Sequence, residues 1–377
     1  MGSSGSRVRS RRSAAGDRRA GPVVAVTGAA SVVGVPVTRA LARRLAAGAV
    51  SRVVAVDDRR GPVDDAHWRI ADLSQPSVLE CLEGADVVVH VACPADLEAA
   101  LAEPPPARRA RAVRTAQAVF TAAAAAGAHR LVVVTSATVY GASADQPIPL
   151  AEDAPLRAVA DSGLVGDMLE VEELLARVPR AHPGLRTTVV RPAALVGEGV
   201  DTMTTRHFEA PRLLVASDVP TVWQFCHVDD LAEAVATAVV ADLDGALTAG
   251  CEGVLTQQAV ERISGMRRLE LPVALALGTA QRLHRARVLP MPPEDLAYVV
   301  YPWVVPSTRL RQAGWRPRYD NETCLGVLLE QVRGRHALAG RRVERRDAAL
   351  GAAGAAVALV GTAAAWRQAR VRRRRAQ

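Results

Sequence analysis

Short apolar runs and stretches of helical spacing alternate along the first half of the chain. The runs, most of them rich in valine, predict strands buried on both faces of a sheet at residues 23–26, 53–56, 68–70, 86–91 and 131–134. Apolar residues recur at helical spacing from Val32 to Leu45, and an alanine-rich helix is predicted over residues 108–126, ended by Gly127. This alternation predicts an α/β fold with a doubly wound parallel sheet and right-handed crossovers.

The first strand passes into the first helix through a glycine turn with the pattern Gly28-x-x-Ser31-x-x-Gly34. A helix N-terminus presents free N–H groups, and glycines allow a dinucleotide pyrophosphate to approach the loop backbone. We therefore predict that Gly28, Ser31, Val32, Val33 and Gly34 bind a cofactor. A related dehydrogenase fingerprint has glycine in the place of Ser31. The serine either narrows the approach to the phosphates or donates its hydroxyl to one of them.

Asp57 ends the second predicted strand and lies 23 residues after Gly34. An acid at about this distance holds the ribose hydroxyls of an adenine dinucleotide, which favours that role over a solvated turn residue beside Asp58. A carboxylate there repels a 2′-phosphate and selects NAD. Arg59 and Arg60 lie close enough in sequence to accept NADP instead.

The positive charge of the chain is concentrated at its ends. The 377 residues are 49% hydrophobic, which allows one large or two modest domains, and their net charge is +8. Most of that charge lies in residues 1–20, which we expect to be disordered, and in residues 367–375. Neither segment has interleaved aromatic residues. We interpret both as solvated or membrane-attracted arms and predict no nucleic-acid partner.

The cysteines and the N-terminus indicate a cytoplasmic protein. The five cysteines show no C-x-x-C spacing, which predicts reduced thiols and no metal site. The twin arginines Arg11 and Arg12 are followed by no apolar segment, so the N-terminus does not have the pattern of an export signal. All 47 basic residues are arginine, because the chain has no lysine.

Several motifs occur in a fixed order along the chain. They are VTGAASVVG, AVDD, ADL, VVVHVA and TSATVYG, followed by VVRPAALVG, QFCHVDDLAEAV and STRLRQAGWRP. Over residues 22–330 the chain resembles the extended short-chain dehydrogenase/reductase superfamily in its NAD-dependent epimerase/dehydratase branch, and UDP-sugar 4-epimerases most of all. The resemblance implies a Rossmann NAD(P)-binding domain over residues 21–192. It also implies a smaller substrate subdomain over residues 193–335, interleaved with late Rossmann elements.

The same resemblance implies further ligands and contacts. The cofactor is expected to be NAD, with NADP less favoured, and the substrate a small molecule such as a nucleotide sugar. Four more residues are implied as cofactor-binding: Asp72, Leu73, Ala92 and Pro192. The resemblance leaves the oligomeric state open, with a homodimer as one alternative.

The resemblance also assigns a catalytic region, in which two groups are missing. Ser136 matches the serine or threonine that hydrogen-bonds the reacting sugar oxygen in that family. The family register favours Ser136 and Thr138 as ligand-binding hydroxyls, although each could instead only cap the strand end. A Tyr-x-x-x-Lys pair normally moves the proton, because a phenol is a poor base at neutral pH without a nearby ammonium. Here Leu164 and Met168 occupy those two positions.

No shift of register restores the pair, since the chain has no lysine and its tyrosines are Tyr140, Tyr298, Tyr301 and Tyr319. Two aspartates near this helix, Asp161 and Asp167, could act as substitute bases. Asp167, however, is about 100° from Met168 around the helix, and we expect it to face solvent.

Other candidate residues carry weaker predictions. Ala194 and Trp223 replace an asparagine and a diphosphate-binding arginine of related epimerases, which weakens the case for a UDP-sugar. We interpret His227, Asp229 and Asp230 as structural, at a strand-to-helix junction. His90 is expected to be a packed strand residue.

Residues 348–366 carry no charge but consist mainly of alanine and glycine. This stretch has the length of a minimal membrane span, yet arginines flank both of its ends. We expect a surface-lying or partner-packed helix within an Ala/Arg-rich tail over residues 336–377, attracted to anionic lipid as a peripheral membrane contact.

Two functional hypotheses follow. The first is an NAD-dependent epimerase/dehydratase-like enzyme that acts on a nucleotide sugar or related polyol by transient hydride transfer. The second is a catalytically impaired NAD-binding protein of the same fold, acting as a sensor or scaffold, which Leu164 and Met168 favour.

Overall fold

The computed structural model describes residues 21–160, 163–286, 293–335, 337–338 and 341–342. These residues form strands β1 to β15, which are, in order, Val23–Thr27, Arg52–Asp57, His67–Ile70, Val87–Val91, Arg130–Val134, Arg186–Pro192, Ala194–Val196, Leu213–Ala216, Val222–Trp223, Phe225–His227, Gly245–Ala249, Leu255–Thr256, Arg268–Leu271, Ala337–Leu338 and Arg341–Arg342. They form helices α1 to α13, which are, in order, Gly34–Ala42, Val78–Leu82, Leu97–Ala102, Pro105–Ala125, Leu164–Leu175, Val178–Ala181, Met203–Glu209, Val228–Val240, Gln257–Ser264, Val273–Arg285, Ala297–Val300, Thr308–Gln312 and Asn321–Val332.

Seven parallel strands form the central sheet in the order β11-β6-β5-β4-β1-β2-β3. Helices α1 and α8 cover one face, where Val37 and Leu231 are fully buried. Helices α2, α4 and α5 cover the other face, where Val119 and Leu131 are fully buried. The predicted doubly wound α/β fold is therefore confirmed.

The helices α1 and α4 differ from their predicted ranges only in the residues at which they begin and end. Helix α1 begins at Gly34 and ends at Ala42, inside the predicted range. Helix α4 begins at Pro105, ahead of the predicted start at residue 108, because proline fits the first turn of a helix without losing a hydrogen bond.

The second half of the chain contributes to the central sheet and also forms a smaller cluster. Strand β11 extends the sheet by pairing with β6. The remaining strands pair two by two, as β10 with β7, β12 with β9, β13 with β8 and β14 with β15. A separate apolar cluster lies among these strands and helices α7, α9 and α13, and includes Phe208, Phe225 and Leu325. Residues after 192 therefore supply both late sheet elements and a distinct second core.

Candidate active site

The strand order reverses at β1, since β2 pairs on one side of it and β4 on the other. Open α/β sheets bind ligands at such a point, outside the carboxyl ends of the strands. A cavity of about 320 Å³ lies there, and we call it the crevice. Its walls include residues 31–33 after β1, residues 91–96 at and after the end of β4, and side chains of α4 and α5.

Two glycines allow the turn after β1 to pack closely. Gly28 has a φ of 76°, and a Cβ on it would lie 3.0 Å from the carbonyl oxygen of Val91. A Cβ on Gly34 would lie 1.9 Å from the carbonyl oxygen of Gly28, closer than any side chain allows. Glycine is therefore required at both positions for the loop to hold its shape.

Ser31 stabilises this loop through two hydrogen bonds of its side chain. Its Oγ donates to the carbonyl oxygen of Gly28 at 2.7 Å and accepts from the N–H of Gly34 at 2.9 Å. The hydroxyl proton is therefore used within the loop. Val32 and Val33 also line the crevice, and their N–H groups donate to no acceptor among the residues that the structure describes. These two amides at the start of α1 are suited to an anion such as a pyrophosphate.

Asp57 supports the loop from the end of β2. Its Oδ2 accepts from the N–H of Ala30 at 2.7 Å, and its Oδ1 accepts from the N–H of Asp58 at 2.8 Å. Partial burial raises the pKa of this carboxyl above its ordinary value, opposed by those two hydrogen bonds. Each carboxylate oxygen retains acceptor capacity for a ribose hydroxyl. The exposed Arg59 lines the crevice, whereas Arg60 does not.

The residues implied by the family resemblance lie at different depths. Ala92 lines the crevice, and its N–H donates to Val134 at the end of β5. Asp72 is exposed after β3, where hydrogen bonds from Ser74 lower its pKa. Leu73 is partly buried beside it, and Pro192 is buried at the end of β6. Neither Asp72, Leu73 nor Pro192 lines the crevice, so a cofactor would have to extend beyond the cavity to reach them.

Ser136 and Thr138 line a second, smaller cavity of about 90 Å³, which we call the inner cavity. Ser136 Oγ accepts from the N–H of Thr138 at 3.2 Å and from its hydroxyl at 3.0 Å. Ser136 therefore caps the short 3-10 helix after β5 and still has its own proton to donate. The crevice and the inner cavity share Cys93, Pro94, Leu164 and Met168 as lining residues.

Leu164 and Met168 are the first and fifth residues of α5, and both side chains line the boundary between the two cavities. Tyr140 does not take their place. Its hydroxyl is buried, donates to the carbonyl oxygen of Glu152 at 2.6 Å and accepts from Arg191 at 2.8 Å. Tyr140 is thus a structural residue that no ligand in these cavities can reach.

The prediction that Asp167 faces solvent is wrong. It is 5% exposed and lines the crevice, and its carboxylate accepts hydrogen bonds from Nε of Arg108 at 2.6 Å and from Nε of Arg109 at 2.9 Å. The reason is that α4 packs against α5, so the helix face expected to be exposed is covered. Asp161 lies outside the described residues.

Two histidines and an aspartate near this region make contacts with neighbouring elements of the fold. His90 is buried in β4, where its Nδ1 lies 2.9 Å from Thr27 Oγ1 and burial lowers its pKa to about 4. His227 caps the N-terminus of α8 and stacks on Tyr319 at 3.9 Å. Asp230 accepts from the backbone N–H groups of residues 318 and 319. These contacts agree with the structural roles expected for His227 and Asp230. His90 is packed in β4 as expected, but it also lines the crevice.

The positive lining of the crevice was not predicted. Arg108 and Arg111 project from α4 into its wall, and Arg108 is buried whereas Arg111 is exposed. Their spacing of three residues on an alanine-rich helix places them on one face, which is the signal that could have identified them.

Comparison with known proteins agrees with this geometry. The model of the NAD dependent epimerase/dehydratase family matches residues 24–246, which run from β1 into β11. The chain belongs to that family. An uncharacterized protein of Mycobacterium tuberculosis (strain ATCC 25618 / H37Rv) is 29% identical over 317 residues, covering 79% of this chain and 80% of the relative.

Solved structures with the same fold include enzymes of nucleotide-sugar chemistry. A UDP-galactose 4-epimerase is 21% identical, with 82% of this chain and 98% of that chain covered and a TM-score of 0.58. The UDP-glucose 4-epimerase of Thermus thermophilus in complex with NAD is 18% identical, with 83% and 99% covered and a TM-score of 0.58. The dTDP-glucose 4,6-dehydratase of Streptomyces venezuelae with NAD bound is 18% identical, with 82% and 97% covered and a TM-score of 0.59. At these identities the likeness establishes the shared fold.

The C-terminal tail lies outside the family match, which ends at residue 246. The helix predicted over residues 348–366 lies outside the described residues. Within the part of the chain that the structure describes, no helix is both long and apolar enough to cross a bilayer.

Proposed function

We propose that this protein binds NAD in the crevice and uses it for hydride transfer to or from a small hydroxyl- or carbonyl-bearing substrate in the inner cavity. The observation that carries this proposal is the shared wall of the two cavities. Residues 93–94 and the side chains of Leu164 and Met168 line both, so a ligand beside Ser136 would adjoin a cofactor in the crevice.

The residues of the loop fit a dinucleotide. The amides of Val32 and Val33 would hold the pyrophosphate, and Asp57 would accept hydrogen bonds from the ribose hydroxyls. Because Gly28 and Gly34 lack a Cβ, the pyrophosphate could come close to the loop backbone. When bound, NAD supplies the hydride acceptor or donor.

The chain's own contribution is to orient the substrate. The Ser136 hydroxyl would donate a hydrogen bond to the substrate oxygen, and the hydrogen bond that Thr138 donates to Ser136 Oγ orients that hydroxyl. In the oxidative direction NAD would serve as the hydride acceptor, and the proton of the substrate hydroxyl would leave to water. Loss of a positioned acid/base typically slows such a step about 10²- to 10⁴-fold. We therefore expect slow turnover.

A second function is favoured by one observation. Leu164 and Met168 present aliphatic and thioether groups at the cavity boundary, where the family resemblance implies a phenol and an ammonium. A protein that binds NAD without turnover, as a sensor or scaffold, is consistent with that wall.

The two functions are separated by one experiment. Purified protein is titrated with NAD and NADP by calorimetry, and absorbance of the reduced cofactor is then followed with a panel of UDP-sugars, polyols and uncharged alcohols. Heat with NAD and any substrate-dependent change in reduced cofactor support the enzyme. Heat without turnover supports the second function, and absence of heat with both cofactors contradicts both.

A further inference from the structure

The substrate side of the site extends outward from the inner cavity. A neighbouring cavity of about 350 Å³, which we call the outer cavity, shares Val165, Asp295 and Tyr298 with it. Together they run between the end of β5, the start of α5 and the segment around α11. A substrate held by Ser136 would extend along this path.

Carboxylates outnumber cations among the described residues along this path. Asp201 and Asp295 line the inner cavity, and Glu294 with Asp295 lines the outer one. Among the described lining residues of both cavities, the cation is the exposed Arg157 at the outer cavity. Nucleotide diphosphates are usually held by paired arginines or by helix N-termini, and carboxylates nearby repel them.

A buried arginine two residues after the lining residue Thr204 is already engaged. Arg206 is 4% exposed, and its Nε donates to Oδ1 of Asp201 at 2.8 Å. This ion pair neutralises Asp201, and it leaves Arg206 committed to a carboxylate of the chain. A phosphate would have to compete with that contact.

An aromatic cluster lies beside the inner cavity, where Trp223 lines a small neighbouring cavity that shares Ala194 and Thr204 with it. Trp223 stacks on His207 with ring centroids 5.4 Å apart and lies 5.4 Å from Phe208, while its indole N–H donates to Gln257 at 2.8 Å. Burial lowers the pKa of His207 to about 4, so this ring is neutral at pH 7. The His207 ring in this cluster therefore contributes no positive charge beside the inner cavity.

The remaining lining is apolar with isolated hydroxyl groups. Val165, Met168, Leu195 and Val299 are buried, and Trp303 is partly buried beside them. Burying apolar ligand surface against such side chains favours binding of an apolar molecule. The hydroxyls of Ser136 and Thr138 supply the polar contacts that orient one oxygen.

We propose that the substrate of this site is an uncharged alcohol or ketone with an apolar body, and that it is favoured over a nucleotide diphosphate sugar because the lining is apolar and, among its described residues, offers a diphosphate only the exposed Arg157. This rests on the proposed function, because it takes the inner cavity as the place of the reacting oxygen. The oxidation would convert a secondary alcohol into a ketone, with NAD as the hydride acceptor and water as the proton acceptor.

The test uses the full chain in two steps. Calorimetry with NAD first establishes cofactor binding. Tryptophan fluorescence of the NAD-saturated protein is then titrated with 1-tetralone, with UDP-glucose and with UDP, because Trp303 lines the inner cavity. We expect 1-tetralone to bind at least tenfold more tightly than either nucleotide.

Matched variants locate the binding. Ser136→Ala should weaken 1-tetralone several-fold without changing NAD affinity. Ser143→Ala, which removes an exposed serine hydroxyl bonded to Asp145, should leave both unchanged. UDP-glucose binding as tightly as 1-tetralone, or binding of neither probe, overturns the substrate inference while NAD heat upholds the cofactor site. Absence of NAD heat instead overturns the proposed function.

Discussion

Nε of Arg108 donates a 2.6 Å hydrogen bond to Oδ2 of Asp167, and this buried ion pair joins α4 to α5 in the wall of the crevice. Both side chains are less than a tenth exposed. Removing one member of a buried pair typically costs about 3–5 kcal/mol, because the other charge remains buried. The pair therefore stabilises the helix contact that shapes the crevice.

Arg108→Met should lower the free energy of unfolding by about 3 kcal/mol, at the low end of that range because Arg109 still contacts Asp167. Urea denaturation provides the measurement. Arg111→Met is the matched control on the same helix, since this exposed arginine pairs with Glu103 at the surface and should change stability by less than about 1 kcal/mol. Equal losses in the two variants would show that the buried pair has no special role.

Gly34→Ala should abolish NAD binding and lower the yield of folded protein. The new Cβ would lie 1.9 Å from the carbonyl oxygen of Gly28, so the loop must move. Calorimetry and thermal unfolding measure both effects. Gly326→Ala is the control, because a Cβ there meets no atom within 4 Å and alanine favours the helix α13 by about 0.5–1 kcal/mol. A Gly34→Ala protein with normal NAD affinity would contradict the assigned role of the turn.

Asp57→Ala should weaken NAD binding about tenfold or more, since a charge-assisted hydrogen bond contributes about 1.5–3 kcal/mol. NADP should be affected less, because the substitution also removes the repulsion of a 2′-phosphate while Arg59 remains. The raised pKa of Asp57 gives a further sign: NAD affinity should decline as pH falls through that pKa, because protonation removes the acceptor charge. Asp58→Ala, an exposed neighbour, serves as control. An unchanged ratio of the two affinities would refute this assignment.

Acid should destabilise the protein through its buried histidines. Burial lowers the pKa of His90 and of His207 to about 4 from an ordinary 6.5, so the unfolded state binds more protons between these values. Stability is then full above about pH 6.5 and falls as pH decreases towards 4, by about 2 kcal/mol per histidine at pH 5.

His207→Phe isolates one of these contributions. It keeps a ring against Trp223 and removes a buried Nε2 that has no hydrogen-bond partner. The loss of unfolding free energy between pH 7 and pH 5 should shrink by about 2 kcal/mol. His67→Gln, at an exposed position, should leave the loss as it is. An identical pH dependence in His207→Phe and wild type would contradict the neutral state of this ring.

Leu164→Tyr combined with Met168→Lys should raise any NAD-linked rate about tenfold or more, because a phenol beside an ammonium restores a positioned acid/base. Both side chains already line the cavity boundary, so the new groups would enter it. The two single variants are the controls, and the NAD-linked rate of each should rise less than that of the double variant. The measurement is reduced-cofactor formation with the best substrate of the panel. Equal rates in the double variant and wild type would mean that the substrate position has diverged as well.

Local patterns predicted the sheet and the turn well, because their determinants are close in sequence. The runs that became β1, β2 and β5 are apolar on both faces, and the turn from Gly28 to Gly34 is a single short segment. Side-chain positions set by distant partners could not be obtained this way. Asp167 meets Arg108, 59 residues earlier, only after α4 and α5 pack together. Likewise, the contact between Tyr140 and Arg191 joins β6 to the segment after β5.

Strand β11 reaches its place beside β6 only after the chain has passed through four other strands of the second half. Between the end of β6 at Pro192 and the end of β11 at Ala249 lie 57 residues (249 − 192). At about 5–20 residues per second, a ribosome needs roughly 3–11 seconds to deliver them. During that interval the edge of β6 has no partner strand. We therefore expect nascent chains on crowded polysomes to aggregate more often for this fold than for one whose edge strand is synthesised early.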